Sequence, residues 1–164
     1  MADEIVLSRD GAVATVTLNR PERRNACNLA MWRELHRVMD EIAADDGLRC
    51  VVVRGAGGQA FGAGADMSEF ETERFSAQQA RDYIAVMALP IYAMRACPHP
   101  TVALVQGACM GGGLEMAIFC DLRIAGAGAS FGIPINRIGH GLPLPELSEL
   151  VQLVGRPAAL ELLL

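Results

Sequence analysis

Hydrophobic and polar positions follow two different spacings along the chain. Over residues 4–8 and 12–18 they alternate, as in half-buried strands, and Asp10-Gly11 between the runs predicts a tight hairpin turn. Asn19-Arg20-Pro21-Glu22 breaks the alternation. Beyond it, Met31, Leu35, Val38, Met39 and Ile42 recur at helical spacing, with Asn28 as the N-cap and Asp45-Asp46-Gly47 as the stop. Residues 49–54 contain Val51-Val52-Val53, the short apolar run of a buried parallel strand. A glycine-rich segment spans 55–66, and a helix is predicted over 77–94 with an interruption near Pro90. After the hard break at Pro98-His99-Pro100, the pattern predicts a strand over 101–105 and an apolar helix over 114–120, led by Gly111-Gly112-Gly113. A strand over 122–125 and, past Pro143 and Pro145, a helix over 146–154 complete the reading. Strand repeatedly precedes helix, which predicts an α/β fold with a partly parallel sheet. No linker, low-complexity segment or sequence repeat divides the chain, so residues 1–164 read as one domain.

Composition narrows the function. A chain of 164 residues, 52% of them hydrophobic, is large enough for a core and too apolar to be disordered. A net charge of −5 argues against a nucleic-acid partner. All 14 basic residues are arginine, and the absence of lysine excludes Schiff-base chemistry and a P-loop lysine. The five cysteines, Cys27, Cys50, Cys97, Cys109 and Cys120, include no CxxC pair. They read as buried free thiols in a reducing compartment rather than as disulfides or a zinc site, and no metal is expected. Met1-Ala2-Asp3-Glu4 lacks the basic and apolar regions of a signal peptide. The apolar stretch 101–120 carries Gln106, Glu115 and four glycines, which suits a buried strand, turn and helix better than a membrane span. A cytoplasmic protein without a membrane partner is the expectation.

Three glycine clusters are candidates for chemistry. Gly55-Ala56-Gly57-Gly58-Gln59-Ala60 formally matches the dinucleotide fingerprint G-x-G-x-x-A, but no helical period opens after it. Phe61-Gly62-Ala63-Gly64-Ala65-Asp66 has almost no side chain, so it is either a tight surface loop or a place where a ligand approaches backbone N–H donors. Gly111-Gly112-Gly113-Leu114-Glu115 places unpaired N–H groups at the positive end of a helix dipole, a geometry that suits a developing oxyanion. Glu115 follows Gly112 by three residues and shares its helical face. It reads either as a base or as a first-turn carboxylate that complements the dipole.

Five ordered stretches resemble the crotonase superfamily, the enoyl-CoA hydratase/isomerase family. They are Arg20-Pro21-Glu22-Arg23-Arg24-Asn25-Ala26; Phe61 through Asp66 with Met67-Ser68-Glu69; and Gln106-Gly107 with Gly111 through Ala117. Cys120-Asp121-Leu122-Arg123-Ile124-Ala125 and Ala129-Ser130-Phe131-Gly132-Ile133-Pro134 follow. The resemblance implies a crotonase-like spiral of ββα units and an acyl-CoA thioester as ligand, with coenzyme A entering as part of the substrate and no separate cofactor. It implies that the backbone N–H groups of Ala65 and Gly112 form an oxyanion hole, and that Glu115 carries a proton. Arg24, Ala26, Ala63, Ala65, Asp66, Met67, Gly111, Gly112 and Ile135 fall where the family contacts the CoA thioester. Arginine can grip the phosphates bidentately without lysine. Asp121 matches a structural position. A homo-trimer or hexamer is implied as the assembly.

Two departures qualify that reading. The second glutamate of the family's hydratases falls at Ile135, and isoleucine can neither take nor deliver a proton. Efficient hydration by the usual pair is therefore not expected, whereas Glu115 alone suffices for an isomerase or another enolate-handling member. The alternative is a non-catalytic or weakly active acyl-CoA-binding subunit. The family's chains are longer, so the sequence reads as truncated, without the C-terminal helical part, and Leu160 to Leu164 as an apolar tail that needs cover. His140 reads as a loop histidine between Gly139 and Gly141, Glu146 as a helix-start residue, and His36 and His99 are given no role.

Overall fold

The computed structural model describes residues 3–139 and 141–164, without the side chains of Arg137 and Ile138. Within them the chain makes four strand–strand–helix turns. The first holds β1 (Ile5–Asp10), β2 (Val13–Leu18) and α1 (Leu29–Ala43). The second holds β3 (Cys50–Gly55), β4 (Ala60–Gly62), the short α2 (Phe70–Glu73) and α3 (Ala77–Ala96). β5 (Thr101–Val105), β6 (Ala108–Met110) and α4 (Gly112–Phe119) form the third, and β7 (Leu122–Ala125), β8 (Ser130–Gly132) and α5 (Leu144–Leu163) the fourth.

The longer strands build one sheet in the order β1-β2-β3-β5-β7, and the short ones build a second, β4-β6-β8. Among the described residues only the β1–β2 hairpin is antiparallel, and every other pair is parallel. These are the ββα units that the resemblance implies. The Asp10-Gly11 turn is present, with Gly11 at φ 55. The strands β4, β6 and β8 escape a periodicity reading because three residues each are too few to show a period.

Helix α1 begins where the capping argument puts it. Asn28 accepts from the Met31 N–H at 2.8 Å, and Met31, Trp32, Leu35, Val38, Met39 and Ile42 are buried. Fully burying each such side chain contributes about 1.5–3 kcal/mol, well beyond any helix propensity. Helix α3 corrects the expected interruption: it runs unbroken through Pro90. Proline removes one backbone donor there, but Tyr83, Met87, Ile91 and Met94 bury the same face against α1 and α4, and that packing outweighs the lost bond. Helix α4 starts at Gly112, two residues before the expected Leu114. Helix α5 starts at Leu144, two residues before the expected Glu146, and extends to Leu163, well past Val154, with a break at Gly155 (φ 77, ψ 160). That break lets the last turns return to β8, where the Leu162 carbonyl accepts from the Ile133 N–H at 2.7 Å.

Asp121 is structural, as expected: its carboxylate accepts from the Thr101 N–H at 2.7 Å and hydroxyl at 2.8 Å, tying β5 to β7. All five cysteines are free; burial pushes the Cys27, Cys109 and Cys120 thiols up to about 12, so they stay protonated. Among the described residues no group of side chains is arranged to hold a metal ion, and no helix is long and apolar enough to cross a membrane. At the outer edge of the larger sheet, Leu122 and Ile124 of β7 stand 58% and 59% exposed.

Candidate active site

The site is assembled on Arg20. Its guanidinium pairs with Glu4 at 3.0 Å and Asp66 at 2.9 Å and donates to the Ala26 carbonyl at 2.9 Å. Two left-handed residues follow, Arg24 (φ 53) and Asn25 (φ 56). The buried Asn25 side chain accepts from the Arg20 N–H and donates to the carbonyls of Ala56 and Ala60. The Arg20–Ala26 motif thus clamps the β3–β4 connection and sets the path of the segment that follows it. The Gly55–Ala60 stretch is that connection; no helix opens there, so the dinucleotide geometry is absent.

Residues 62–66 run alongside the residues entering α4. Cys27 donates to the Gly64 carbonyl at 2.8 Å and Asp66 to the Cys27 carbonyl at 2.8 Å. Gly64 adopts φ 89, and a Cβ there would lie 2.9 Å from the Gly112 nitrogen. A Cβ on Gly113 would lie 2.3 Å from the Gly62 carbonyl oxygen. Glycine at both places is what lets the two backbones touch. The Trp32 ring backs the contact, since a Cβ on Gly112 would meet it at 3.2 Å. Among the described residues, neither the Ala65 nor the Gly112 N–H donates to a backbone carbonyl.

Both turns open onto a cavity of about 260 Å³. Apolar walls come from Phe70, Ile84, Met87, Met110, Ile133, Ile135 and Leu142, and among the described residues the charged groups on its lining are Glu115 and Arg74. Glu115 is 6% exposed and its Oε2 has no hydrogen-bond partner among the described residues. Burial, then the negative charge of Glu146, raise its carboxyl to about 7, against the opposing pull of Arg74. Arg74 is held by stacking, 4.2 Å from the Tyr83 ring centroid and 4.6 Å from that of Phe70. Burial lowers its own proton affinity, but a guanidinium stays charged.

The residues expected at the site separate into three groups. Ala63, Ala65, Met67, Gly111, Gly112, Glu115 and Ile135 line the cavity. Arg24 and Ala26 lie beside it rather than on its lining, with Arg24 exposed and its carbonyl accepting from the Ala63 N–H at 3.1 Å. Asp66 points away to the Arg20 clamp. Burial opposes its charge, but hydrogen bonds from Ser68 and Arg20 hold it below its ordinary range. Sequence reasoning missed Arg74, Phe70, Met87 and Leu142 on the walls, and Glu146 and Tyr92 behind Glu115. His140 lies outside the described residues.

The chain belongs to the enoyl-CoA hydratase/isomerase family, whose profile matches residues 8–164. The short-chain-enoyl-CoA hydratase of Clostridium acetobutylicum is 34% identical over 161 residues, 98% of this chain and 61% of that protein. The mitochondrial Delta(3,5)-Delta(2,4)-dienoyl-CoA isomerase of Mus musculus is 34% identical over 92% of this chain and 48% of that one. A crystal structure of an enoyl-CoA hydratase/carnithine racemase from Magnetospirillum magneticum superposes with a TM-score of 0.94 at 48% identity, covering 99% of this chain and 61% of the other. The crotonase-like fold implied by the resemblance is therefore the fold observed. The chain spans about half to three-fifths of the length of these relatives.

Proposed function

We propose that this chain carries the oxyanion and proton-transfer machinery of an acyl-CoA-processing enzyme that works through a thioester enolate. The observation that carries the reading is the contact of two glycine-built turns, at Ala65 and Gly112, in one cavity with a single buried carboxyl, Glu115. A thioester oxygen seated between the two N–H groups meets fixed donors that need no reorganisation as charge develops. The α4 dipole acts in the same direction.

Chemically, ionised Glu115 takes a proton from C2 of a 3-enoyl thioester. The C2–H pair becomes the C1–C2 double bond of a dienolate, and the carbonyl oxygen takes the charge. When the carbonyl re-forms, the C2–C3 double bond forms and C4 takes the proton back from Glu115. One carboxyl and no resident cofactor complete the cycle. Hydration needs a second proton-handling group to position and activate water, and the cavity wall has Ile135 where the family's hydratases have glutamate. We therefore favour double-bond isomerisation over hydration.

The CoA portion is proposed to run past Ala63, Met67 and Ala26, with the exposed Arg24 available to its phosphates. A homo-trimer or hexamer is proposed as the assembly, supported by the uncovered Leu122 and Ile124 on β7. Light scattering that returns a stable monomer at micromolar concentration would sink it.

The test is incubation with 2-enoyl-, 3-enoyl- and 3-hydroxyacyl-CoA thioesters, with products identified by mass and NMR. Conversion of 3-enoyl to 2-enoyl thioester, with little water addition, is expected. Thioester binding without any conversion would support the binding-subunit alternative.

A further inference from the structure

Behind Glu115 stands a second buried carboxyl that the mechanism above does not use. Glu146 lies in the first turn of α5 and is 3% exposed. The Tyr92 hydroxyl donates to its Oε1 at 2.9 Å, and its Oε2 has no hydrogen-bond partner among the described residues. It is not part of the cavity lining, so substrate in the cavity does not reach it.

Its placement is built rather than incidental. The Tyr92 ring packs on Phe119 of α4, with centroids 5.7 Å apart. Arg95, one turn further along α3, forms an ion pair with Glu149, one turn further along α5. Three helices thus fix the carboxyl beside the base. Burial and the hydrogen bond to Glu146 push the Tyr92 phenol up to about 12, so it remains a donor throughout the working range of an enzyme. Leaving a buried carboxylate oxygen unpaired is costly, and two such carboxyls close together repel.

We propose that Glu146, anchored by Tyr92, is a positioning residue that keeps Glu115 poised both to take and to return one proton, so that a single carboxyl serves where Ile135 has replaced a second glutamate. The inference rests on the reading of Glu115 as proton carrier. A group that is base in one half of a reaction and acid in the other works best when poised near the operating pH. Around Glu115, the described charged and titratable groups are Glu146 on α5, Arg74 at the end of α2 and Tyr92 on α3. Of these only Glu146 carries a negative charge that makes Glu115 hold its proton more tightly at neutral pH.

The experiment is a carboxyl titration of Glu115 by infrared or ¹³C-glutamate NMR, its signal assigned by its loss in Glu115→Gln, alongside the pH profile of kcat/KM for 3-enoyl-CoA isomerisation. In Glu146→Gln, both the titration and the acid limb are expected at lower pH by at least about half a unit, threefold in proton affinity. Tyr92→Phe, at a residue 39% exposed, removes the donor that supports the Glu146 charge and is expected to move both the same way by less. It serves equally if Glu146→Gln does not fold. A midpoint unchanged in a folded Glu146→Gln protein, or in Tyr92→Phe where that stands in, overturns the inference even with turnover intact. A midpoint that moves in a protein converting no enoyl thioester instead overturns the proton-carrier reading, and the role proposed for Glu146 falls with it.

Discussion

The two halves of the cavity are made differently. The half proposed to hold the oxyanion consists of backbone: Ala65 and Gly112 offer N–H groups, and Gly62, Gly64 and Gly113 let two segments touch. The half proposed to transfer protons consists of side chains from separate elements: Glu115 from α4, Arg74 from the end of α2, Glu146 from α5 and Tyr92 from α3. The first half tolerates almost no change of shape and little of its function depends on pH. The second tolerates small changes of shape, and its function depends on every charge near it. Substitutions should sort accordingly, with backbone changes read in stability and carboxyl changes read in rate and pH dependence.

The sharpest expected division comes from Glu115→Gln. Removing the proposed base should cost roughly a hundredfold or more in isomerisation rate, while thioester affinity changes little because the backbone donors remain. Stability should move the other way. The folded-state carboxyl binds its proton up to about pH 7, whereas a free glutamate loses it near 4.5. The folded state therefore holds more protons across that window, and stability falls as pH rises through it. The penalty is absent below the unfolded value and fully present above the folded one. Glu115→Gln should accordingly be more stable than the parent at pH 8, by about 3 kcal/mol at most, and no more stable at pH 4. Chemical denaturation at the two pH values checks it. Equal stability differences at both would contradict the raised carboxyl.

Gly113→Ala should break the other half. Its Cβ would sit 2.3 Å from the Gly62 carbonyl oxygen, and that oxygen is backbone that cannot rotate away. Overpacking of this kind costs about 1–3 kcal/mol, and a backbone-on-backbone clash belongs at the upper end. The pH dependence of whatever activity survives should be unchanged, because no charge has moved. A fully stable Gly113→Ala protein would show that the two turns are looser than their contact implies.

The contrast also explains what could be read from the chain. The capped α1, the hairpin and the long strands follow from period and turn chemistry, which are local. The two glycine turns could be found because a close backbone approach demands residues without side chains, and such residues stand out in sequence. Glu115 could be found through its offset from Gly112. Arg74, Tyr92 and Glu146 could not, since each looks like an ordinary helix residue until α3, α4 and α5 pack. Glu146 in particular sits where any first-turn carboxylate complements a helix dipole, and only its burial distinguishes it. Pro90 misled for the same reason: a local penalty was set against tertiary packing that the sequence does not display.

Ile135→Glu would restore the residue type of the family's hydratases and should raise water addition to a short 2-enoyl-CoA above the parent's background. The new carboxyl enters a largely apolar wall that already holds Glu115, so stability should fall by about 1–3 kcal/mol. Product analysis by NMR checks the gain. A folded variant with no added hydration would show that hydration needs more of the side-chain half than one glutamate.

The smallest expected effect is that of Arg74→Met. Among the influences on Glu115, the Arg74 charge ranks below that of Glu146 and opposes it. Losing a cation makes the carboxyl hold its proton more tightly, so less of the base is ionised at pH 7. The acid limb of kcat/KM should therefore move to higher pH, opposite to Glu146→Gln and by less. Activity at pH 7 should fall modestly and return toward the parent's at pH 8. Methionine keeps much of the apolar stem against Tyr83 and Phe70, so the cavity wall changes little. If the limb stays in place and the loss persists at pH 8, Arg74 contacts the substrate directly. If the limb moves to lower pH, the charge balance assigned to this half of the cavity is wrong in sign.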